Sequence, residues 1–244
     1  MDNFEFWICG LLFLIGIGAA FIQRVCGFGL GIFALLFLPH FMPSHGESIA
    51  LCNILSAVVS GGNAFQFRKK IPFSTVLAPL CAAMITVPVA SYFSSRVSKE
   101  TFVFVLGVFL ICLSIYFFFF SERVKFRPTV KNGLLAGALS GTLNGLFSTG
   151  GPPSVVYLTQ TLSENVVYFA AIQFYFTCTN LYALVFRVIN GAVTSSLLLY
   201  SVFALVGCLV GNRIGERVFS RLDGARLRKV IYGGMILSGI VMLI

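Results

Sequence analysis

Long apolar stretches alternate with short polar breaks along almost the whole chain. Ten apolar segments can be delimited, five on each side of a polar connector at residues 121–131. They cover residues 6–23, 29–43, 48–67, 72–94, 101–120, 132–147, 151–162, 165–186, 192–212 and 226–244. Most of them approach or reach the roughly 17 to 25 residues that a helix needs to cross a bilayer. The pattern predicts an all-α polytopic membrane protein.

Composition and charge support this prediction. Hydrophobic residues make up 58% of the chain and charged residues 10%, whereas a soluble domain has about 25% charged residues. The first residues, MDNFEFW, contain acidic but no basic side chains, unlike the start of a cleaved signal peptide. We therefore expect the first segment to be retained. The net charge of +9 is expected to orient the protein in the membrane, not to bind nucleic acid.

The two halves of the sequence resemble each other, which indicates an internal duplication. Residues 50–71 match residues 170–191, and this match places Asn53 opposite Gln173. A short glycine-rich segment precedes the match in each half. The predicted units are a first transmembrane repeat at 1–120, a cytoplasmic connector at 121–131 and a second repeat at 132–244. Duplicated membrane proteins of this kind usually transport a substrate that binds between the repeats.

The distribution of basic residues favours repeats of opposite orientation. With the connector in the cytoplasm and the repeats inverted, nearly all of the 17 Lys and Arg residues face the cytoplasm. Parallel repeats would divide them evenly, which the positive-inside rule disfavours. The prediction is therefore two inverted repeats with both termini on the outer side. In this arrangement Arg187 lies near the outer face and is interpreted as an ordinary interfacial charge.

The stretch STGGPPS, residues 148–154, interrupts an uncharged region that extends from residue 132 to 163. As one helix this region would be about 48 Å long, longer than a hydrocarbon core of about 30 Å, so it must break or fold back. Irregular backbone at membrane depth is tolerated where it lines a cavity, and a helix N-terminus attracts anions. The break therefore predicts a small-anion site, to which Gly27, Gly29 and Gly31 contribute from the first half. The alternative is that these glycines only allow close helix packing.

Neutral amides and hydroxyls in or beside the apolar segments can donate hydrogen bonds to an anion without a buried charge. The predicted binding set is Gly27, Gly29, Gly31, Asn53, Asn144, Ser148, Thr149, Gly150, Gly151, Pro152, Gln173 and Thr177. Further polar residues of this kind include Gln23, Ser56, Asn63, Gln66 and Asn180. For each of them the alternative is an interhelical hydrogen bond. Arg24 either faces the anion or caps the first helix.

Enzymatic chemistry has little support in the sequence. All eight acidic residues lie at termini or segment ends, so no carboxylate is expected in the middle of the membrane. The seven cysteines lie singly within apolar segments, as small hydrophobic residues do in helix packing, and they form no metal-binding pattern. We expect no enzyme activity, no cofactor and no metal.

Three motifs carry a family resemblance. They are CGFGLGIFALLFLP at 26–39, GALSGTLNGLFSTGGPP at 137–153 and GNRIGERVFSRLDGARLRKVIYGGMILSGI at 211–240. Together they resemble the TauE/SafE family of sulfite-exporter-like permeases over essentially the whole chain. The resemblance implies about eight full spans, so that segments 29–43 and 151–162 would be short broken or re-entrant helices. It also assigns the glycines of both breaks and Pro152 to the family's motifs.

The resemblance further implies a multi-pass protein of the bacterial cytoplasmic (inner) membrane, with periplasmic termini. The expected function is a secondary transporter, specifically an exporter, of a small sulfur-containing anion such as sulfite or an organosulfonate, by alternating access. The alternatives are an anion channel and an uptake permease for another small oxyanion or a carboxylate. The expected partners are the small anion and the lipid bilayer, and nucleic acid is not an expected partner. The sequence leaves open whether the protein forms a homo-oligomer.

Overall fold

A computed structural model describes residues 3–119 and 129–219, and all regular structure in these ranges is helical. The helices are α1 (Asn3–Cys26), α2 (Leu30–Leu35), α3 (Leu38–Phe41), α4 (His45–Gln66), α5 (Phe73–Ser94), α6 (Lys99–Phe119), α7 (Val130–Phe147), α8 (Gly151–Thr161), α9 (Asn165–Ile189) and α10 (Ser195–Phe219). Every predicted apolar segment up to residue 212 contains helix, so the all-α prediction is confirmed for these ranges. Segment 226–244 and residues 121–128 of the connector lie outside the described residues.

Five helices of the described ranges are long and apolar enough to cross a membrane. They are Trp7–Cys26, His45–Gln66, Phe73–Ser94, Asn165–Ile189 and Ser195–Val218. The segment predicted at 29–43 differs from a single helix, because it is divided into α2 and α3. The division precedes Pro39, which has no N–H to bond the carbonyl of Leu35 four residues earlier and so cannot continue α2. α10 also continues past the predicted end of its segment at residue 212.

Two pairs of helices pack side by side and run in the same direction. On α10, Ala204 lies against Gly16 and Gly215 lies against Arg24, so α1 and α10 are parallel. On α7, Gly137 contacts Pro79 and Gly145 contacts the turn that includes Ala90, so α7 and α5 are parallel as well. Each half thus contributes one helix to each parallel pair.

The central pair, α4 and α9, is antiparallel. The Thr194 hydroxyl, just beyond α9, donates to Glu47 at the start of α4, and the Phe67 and Phe169 rings pack edge to face at the opposite end. Arg24 at the end of α1 reaches residues at the end of α4, so α4 is parallel to α1. His45 at the start of α4 bonds the Ser94 carbonyl oxygen at the end of α5, so α5 is antiparallel to α4. Helices α1, α4 and α10 therefore run one way, and α5, α7 and α9 run the other way.

Glycines at four-residue spacing allow the parallel pairs to approach closely. They are Gly137, Gly141 and Gly145 on α7, and Gly207, Gly211 and Gly215 on α10. A Cβ on Gly137 would overlap the carbonyl oxygen of Pro79, and a Cβ on Gly211 would overlap that of Ile17. Since lipid provides no hydrophobic drive between helices, small residues at this spacing are a usual means of membrane helix packing.

Gly211→Ala is expected to lower the free energy of unfolding by about 1 to 3 kcal/mol, because the obstacle to the added methyl group is backbone and cannot rotate away. Gly62→Ala on α4 is the matched control, since no atom lies within 4 Å of its Cβ position. The control should keep its stability or gain up to about 1 kcal/mol from the helix propensity of alanine. Thermal unfolding in detergent measures the difference. Equal melting temperatures for the two variants would contradict this packing of α10 on α1.

Candidate functional site at the junction of two broken helices

The first break follows the last turn of α1. Gly27 has a φ of 83°, a left-handed conformation that terminates helices and favours glycine, and its N–H donates to the Gln23 carbonyl oxygen at 2.8 Å. Gly29, with a φ of 108°, then forms the N-cap of α2. The chain therefore reverses within three residues and begins a new short helix.

The second break follows α7 and also begins with a residue in the left-handed conformation. Ser148 is the only described non-glycine residue with positive φ, at 54°, and its N–H donates to the Asn144 carbonyl oxygen at 2.8 Å. Gly150 is the N-cap of α8. The spacing from the last-turn amide residue to the left-handed residue and to the N-cap is thus identical in the two breaks, which makes Gln23 the counterpart of Asn144.

The two breaks are in direct contact and enclose a small polar cavity. A Cβ on Gly31 would overlap the Ser148 carbonyl oxygen, and one on Gly151 would lie 3.3 Å from Phe28. The cavity has a volume of about 20 Å³, which is space for about one water molecule. It is lined by Gln23, Gly29, Leu30, Gly31, Ile32, Ser56, Asn144, Ser148, Thr149, Gly150, Gly151, Phe176 and Asn180. In the conformation described, the cavity is therefore too small for a sulfite or sulfonate ion.

The cavity brings together part of the predicted binding set. The predicted residues that line it are Gly29, Gly31, Asn144, Ser148, Thr149, Gly150 and Gly151. Those outside the lining are Gly27, Asn53, Pro152, Gln173, Thr177 and Arg24. Gln23, Ser56 and Asn180 line the cavity without belonging to the predicted set. The position of Gln23 relative to the first break, matching that of Asn144 relative to the second, is the signal that could have found it.

Asn53 and Gln173, the pair predicted to be equivalent, brace the breaks from the central helices. Gln173 Nε2 donates to the Gly27 carbonyl oxygen at 2.9 Å. Asn53 Nδ2 donates to Ser148 Oγ at 2.9 Å and to Asn180 Oδ1 at 2.9 Å. Each amide therefore binds the left-handed residue of the opposite half and fixes the conformation of that break.

A second set of bonds extends this bracing towards Gln23. Gln23 Nε2 donates to Ser60 Oγ at 2.6 Å and to Gln173 Oε1 at 3.0 Å. Thr177 does not take part, because its hydroxyl donates to the Gln173 backbone carbonyl one turn earlier, at 2.8 Å. The buried amides thus form two groups of hydrogen bonds, one that joins Gln23 to Gln173 and one that joins Asn53 to Asn180.

The prolines of the second break reduce the number of backbone donors that α8 offers. A helix N-terminus leaves four N–H groups without an intrahelical partner, but Pro152 and Pro153 have none. The next N–H, of Ser154, donates to Ser140 Oγ at 2.8 Å. Only the backbone N–H groups of Gly150 and Gly151 remain in this turn as donors for a ligand. Side chains must therefore supply much of any binding energy.

Two side-chain groups beside the cavity have no hydrogen-bond partner among the described residues. They are Asn144 Nδ2 and Thr149 Oγ1, on residues that are both 3% exposed. Buried polar groups are almost always satisfied, and an amide NH2 can only donate. Unused donors in a cavity without a charged lining residue are suited to an anion.

Arg24 lies outside the lining, at the end of α1. Its Nη1 donates to Asn63 Oδ1 at 2.6 Å and to Gln66 Oε1 at 3.0 Å. Its Nη2 forms an ion pair with Glu216 Oε1 at 3.1 Å. The guanidinium also lies 5.3 Å from the centre of the Phe169 ring. In this conformation the charge of Arg24 is therefore neutralised within the protein.

The interpretation of Arg187 as an interfacial charge is wrong. Its side chain belongs to the last turns of α9, is only 1% exposed, and donates from Nη2 to the Gly145 carbonyl oxygen. Burial results from packing of α9 against the C-terminal end of α7, which the hydropathy of either helix alone cannot reveal. The Nε of the same guanidinium has no partner among the described residues.

Residues 12–242 match the model of the family described as sulfite exporter TauE/SafE. The chain belongs to the TauE/SafE family. The probable sulfite/organosulfonate exporter TauE of Cupriavidus necator is 24% identical over 245 residues, which cover 94% of this chain and 91% of that relative. No solved structure matches. The predicted membership is therefore confirmed, and with it a multi-pass membrane protein of a transporter family.

Gln173→Leu is expected to lower the melting temperature of this TauE/SafE protein. The substitution leaves the buried Gly27 carbonyl without its donor, and an unsatisfied buried polar group costs about 1 to 3 kcal/mol. Thr177→Val, one turn away on α9, is the control, because its hydroxyl only bonds its own helix. Thermal unfolding in detergent compares the two. A Gln173→Leu variant as stable as Thr177→Val would show that the bracing bonds contribute nothing.

Proposed function

We propose that this protein is a secondary transporter that exports a small sulfur-containing anion, such as sulfite or an organosulfonate, across the cytoplasmic membrane. The observation that carries the proposal is the cavity between the two breaks, where Asn144 Nδ2 and Thr149 Oγ1 are buried without a partner among the described residues. The described lining contains no carboxylate that would repel an anion. The family description and the name of the Cupriavidus necator relative point to the same substrate class.

The halves at 1–120 and 132–244 are proposed to be inverted repeats joined by the cytoplasmic connector 121–131. Helix directions support this arrangement, since α1, α4 and α5 run opposite to α7, α9 and α10, respectively. The shared spacing of the two breaks supports it as well. With the segment at 226–244 the proposal gives about eight full spans, α2–α3 and α8 being the short helices.

The end at which α1, α4 and α10 finish is proposed to face the cytoplasm. It carries the basic residues Arg24, Arg68, Lys69, Lys70, Lys131, Arg213 and Arg217. The opposite end of the described helices carries Arg96, Lys99 and Arg187. Because basic residues concentrate on the cytoplasmic side, both termini would then be periplasmic.

Binding and transport are proposed to use the two breaks as a hinge. Asn144 and Thr149 would donate to the anion, together with Ser148 and the N–H groups of Gly150 and Gly151. Because the cavity as described holds about one water molecule, the breaks would separate to admit an anion, towards one membrane face at a time. Such alternating access is typical of transporters built from inverted repeats.

Flux measurements on proteoliposomes test the proposal. Purified protein is reconstituted, and the uptake of labelled sulfite, sulfoacetate, sulfate and acetate is followed against protein-free vesicles. We expect saturable transport of at least one sulfur-containing anion and a weaker response to acetate. A current that rises in proportion to voltage and concentration would support an anion channel instead. Absence of flux for every anion would refute the transport proposal.

A further inference from the structure

Two buried guanidinium groups lie on opposite sides of the cavity. Arg24 is 4% exposed and lies towards the end where α1, α4 and α10 finish. Arg187 is 1% exposed and lies towards the opposite end. Charged side chains at membrane depth are costly and commonly mark the path of a substrate or an ion. The two arginines therefore flank the route that an anion would follow through the cavity.

Among the described residues the charge of Arg24 has a counter-charge, whereas that of Arg187 has none. The ion pairs within residues 3–119 and 129–219 join Arg24 to Glu216 and Lys70 to Glu164. Neither of them includes Arg187. Arg187 Nη2 donates to the Gly145 carbonyl oxygen, and Arg187 Nε has no partner in the same part of the chain.

A purely structural role explains only part of this arrangement. A cation at the C-terminal end of α7 interacts favourably with the helix dipole and can cap a free carbonyl. One N–H of the guanidinium is sufficient for that bond, and a neutral donor would make it too. A buried cation without a counter-charge is strongly destabilising, so its presence indicates that an anion binds there during the protein's activity.

Arg187 is linked to residues that line the cavity through two helices, α9 and α7. Asn180, which lines the cavity, lies seven residues earlier on the same face of α9, two helical turns or about 10.5 Å away. Gly145, whose carbonyl Arg187 binds, directly follows the lining residue Asn144. A movement of the second break would therefore change the position of the Arg187 guanidinium relative to the cavity.

We propose that Arg187 is a substrate-binding residue on the outer side of the cavity, where its guanidinium provides the counter-charge for the transported oxyanion. This inference rests on the proposed transport function and goes beyond it by assigning an outer anion subsite. A planar guanidinium binds sulfite and sulfonate oxygens through two parallel N–H groups. Arg24, at the inner end, differs because its Nη2 already forms an ion pair with Glu216. An anion would have to compete with this carboxylate for the Arg24 guanidinium.

Sided transport kinetics test this assignment. Right-side-out and inverted membrane vesicles are loaded with unlabelled sulfite, and the exchange of external labelled sulfite is measured over a range of concentrations. For Arg187→Gln we expect the half-saturation concentration at the outer face to rise at least about tenfold, the effect of losing a charge-assisted hydrogen bond. The value at the inner face should change far less.

Arg96→Gln is the matched control, because Arg96 lies at the same end of the protein but is exposed and packs on the Tyr92 ring. It should leave both half-saturation concentrations unchanged. If Arg187 only caps α7, Arg187→Gln should lower the melting temperature and the maximal rate but change neither half-saturation concentration. That result would overturn the assignment while leaving the transport function intact. Loss of flux in the unsubstituted protein would instead refute the transport function itself.

A measurement on the unsubstituted protein covers the case in which Arg187→Gln fails to fold. Vesicles are treated with phenylglyoxal, with and without sulfoacetate at the outer face, and adducts are mapped by mass spectrometry. The protecting anion in this experiment is sulfoacetate in place of sulfite, because sulfite itself adds to the aldehyde of phenylglyoxal. We expect modification of Arg187 that sulfoacetate reduces, and modification of Arg96 that sulfoacetate does not affect. Modification of Arg187 that is insensitive to sulfoacetate, or no modification at all, would contradict an anion subsite at this residue.

Discussion

Asn144→Asp is expected to abolish anion transport while the protein stays folded. The substitution replaces an unpartnered amide donor beside the cavity by a group that only accepts hydrogen bonds when ionised. It also places a negative charge next to the anion. At a separation of about 4 Å two like charges repel by roughly 4 kcal/mol at an effective dielectric constant of 20, which corresponds to about a thousandfold loss of affinity.

Two further variants distinguish the loss of the amide donor from the effect of the added negative charge. Asn144→Ala removes the donor without adding charge, and should raise the half-saturation concentration by about ten- to a hundredfold, the range for a hydrogen bond to a charged group. Asn190→Asp adds the same charge at an exposed position after α9 and should transport normally. Flux in proteoliposomes and melting temperature in detergent are measured for all three. Normal flux through Asn144→Asp would remove Asn144 from the site.

Gly31→Val is expected to stop transport by forcing the two breaks apart. A Cβ on Gly31 would overlap the carbonyl oxygen of Ser148, and both partners are backbone at the start or end of a helix. Because no rotamer change can relieve the overlap, we expect a loss of about 1 to 3 kcal/mol or more in the free energy of unfolding. The residues that line the cavity on both sides would be displaced with the breaks.

Gly10→Val is the matched control for this substitution. Gly10 lies on the exposed face of α1, and no atom lies within 4 Å of its Cβ position, so the added side chain extends into lipid. Flux and thermal unfolding are compared for the two variants. Transport by Gly31→Val at the rate of Gly10→Val would mean that close contact between the breaks is not needed in the transport cycle.

Much of the fold is predictable from the sequence because membrane helices are specified locally. An apolar stretch in lipid must satisfy its own backbone hydrogen bonds, so it forms a helix. This requirement accounts for α4, α5 and α9 within a few residues of the predicted ends. The breaks are local as well: glycine allows the left-handed backbone at Gly27, and Pro152 and Pro153 are compatible only with the first turn of α8.

The partners of each helix face are not predictable in the same way. In a soluble helix the apolar stripe marks the buried face, but in α5 and α7 apolar residues surround the helix, because lipid and protein interior are equally apolar. The sequence therefore did not indicate that Gln23 and Asn180 line the cavity, that Asn53 and Gln173 brace it, or that Arg187 is buried. Their roles depend on the rotation of each helix about its axis.

By itself the sequence determined the helices, the positions of the two breaks, the polar residues available near them and the family, since each depends on local chemistry or on the order of residues. Only the tertiary structure decided that Gly31 and Ser148 touch, which of the polar side chains reach the cavity and which buried cation has no counter-charge within residues 3–119 and 129–219. The physical reason is that these are contacts between segments far apart in the chain. They are set by the close packing of glycine faces, such as that of Gly137 on Pro79, and not by hydrophobicity.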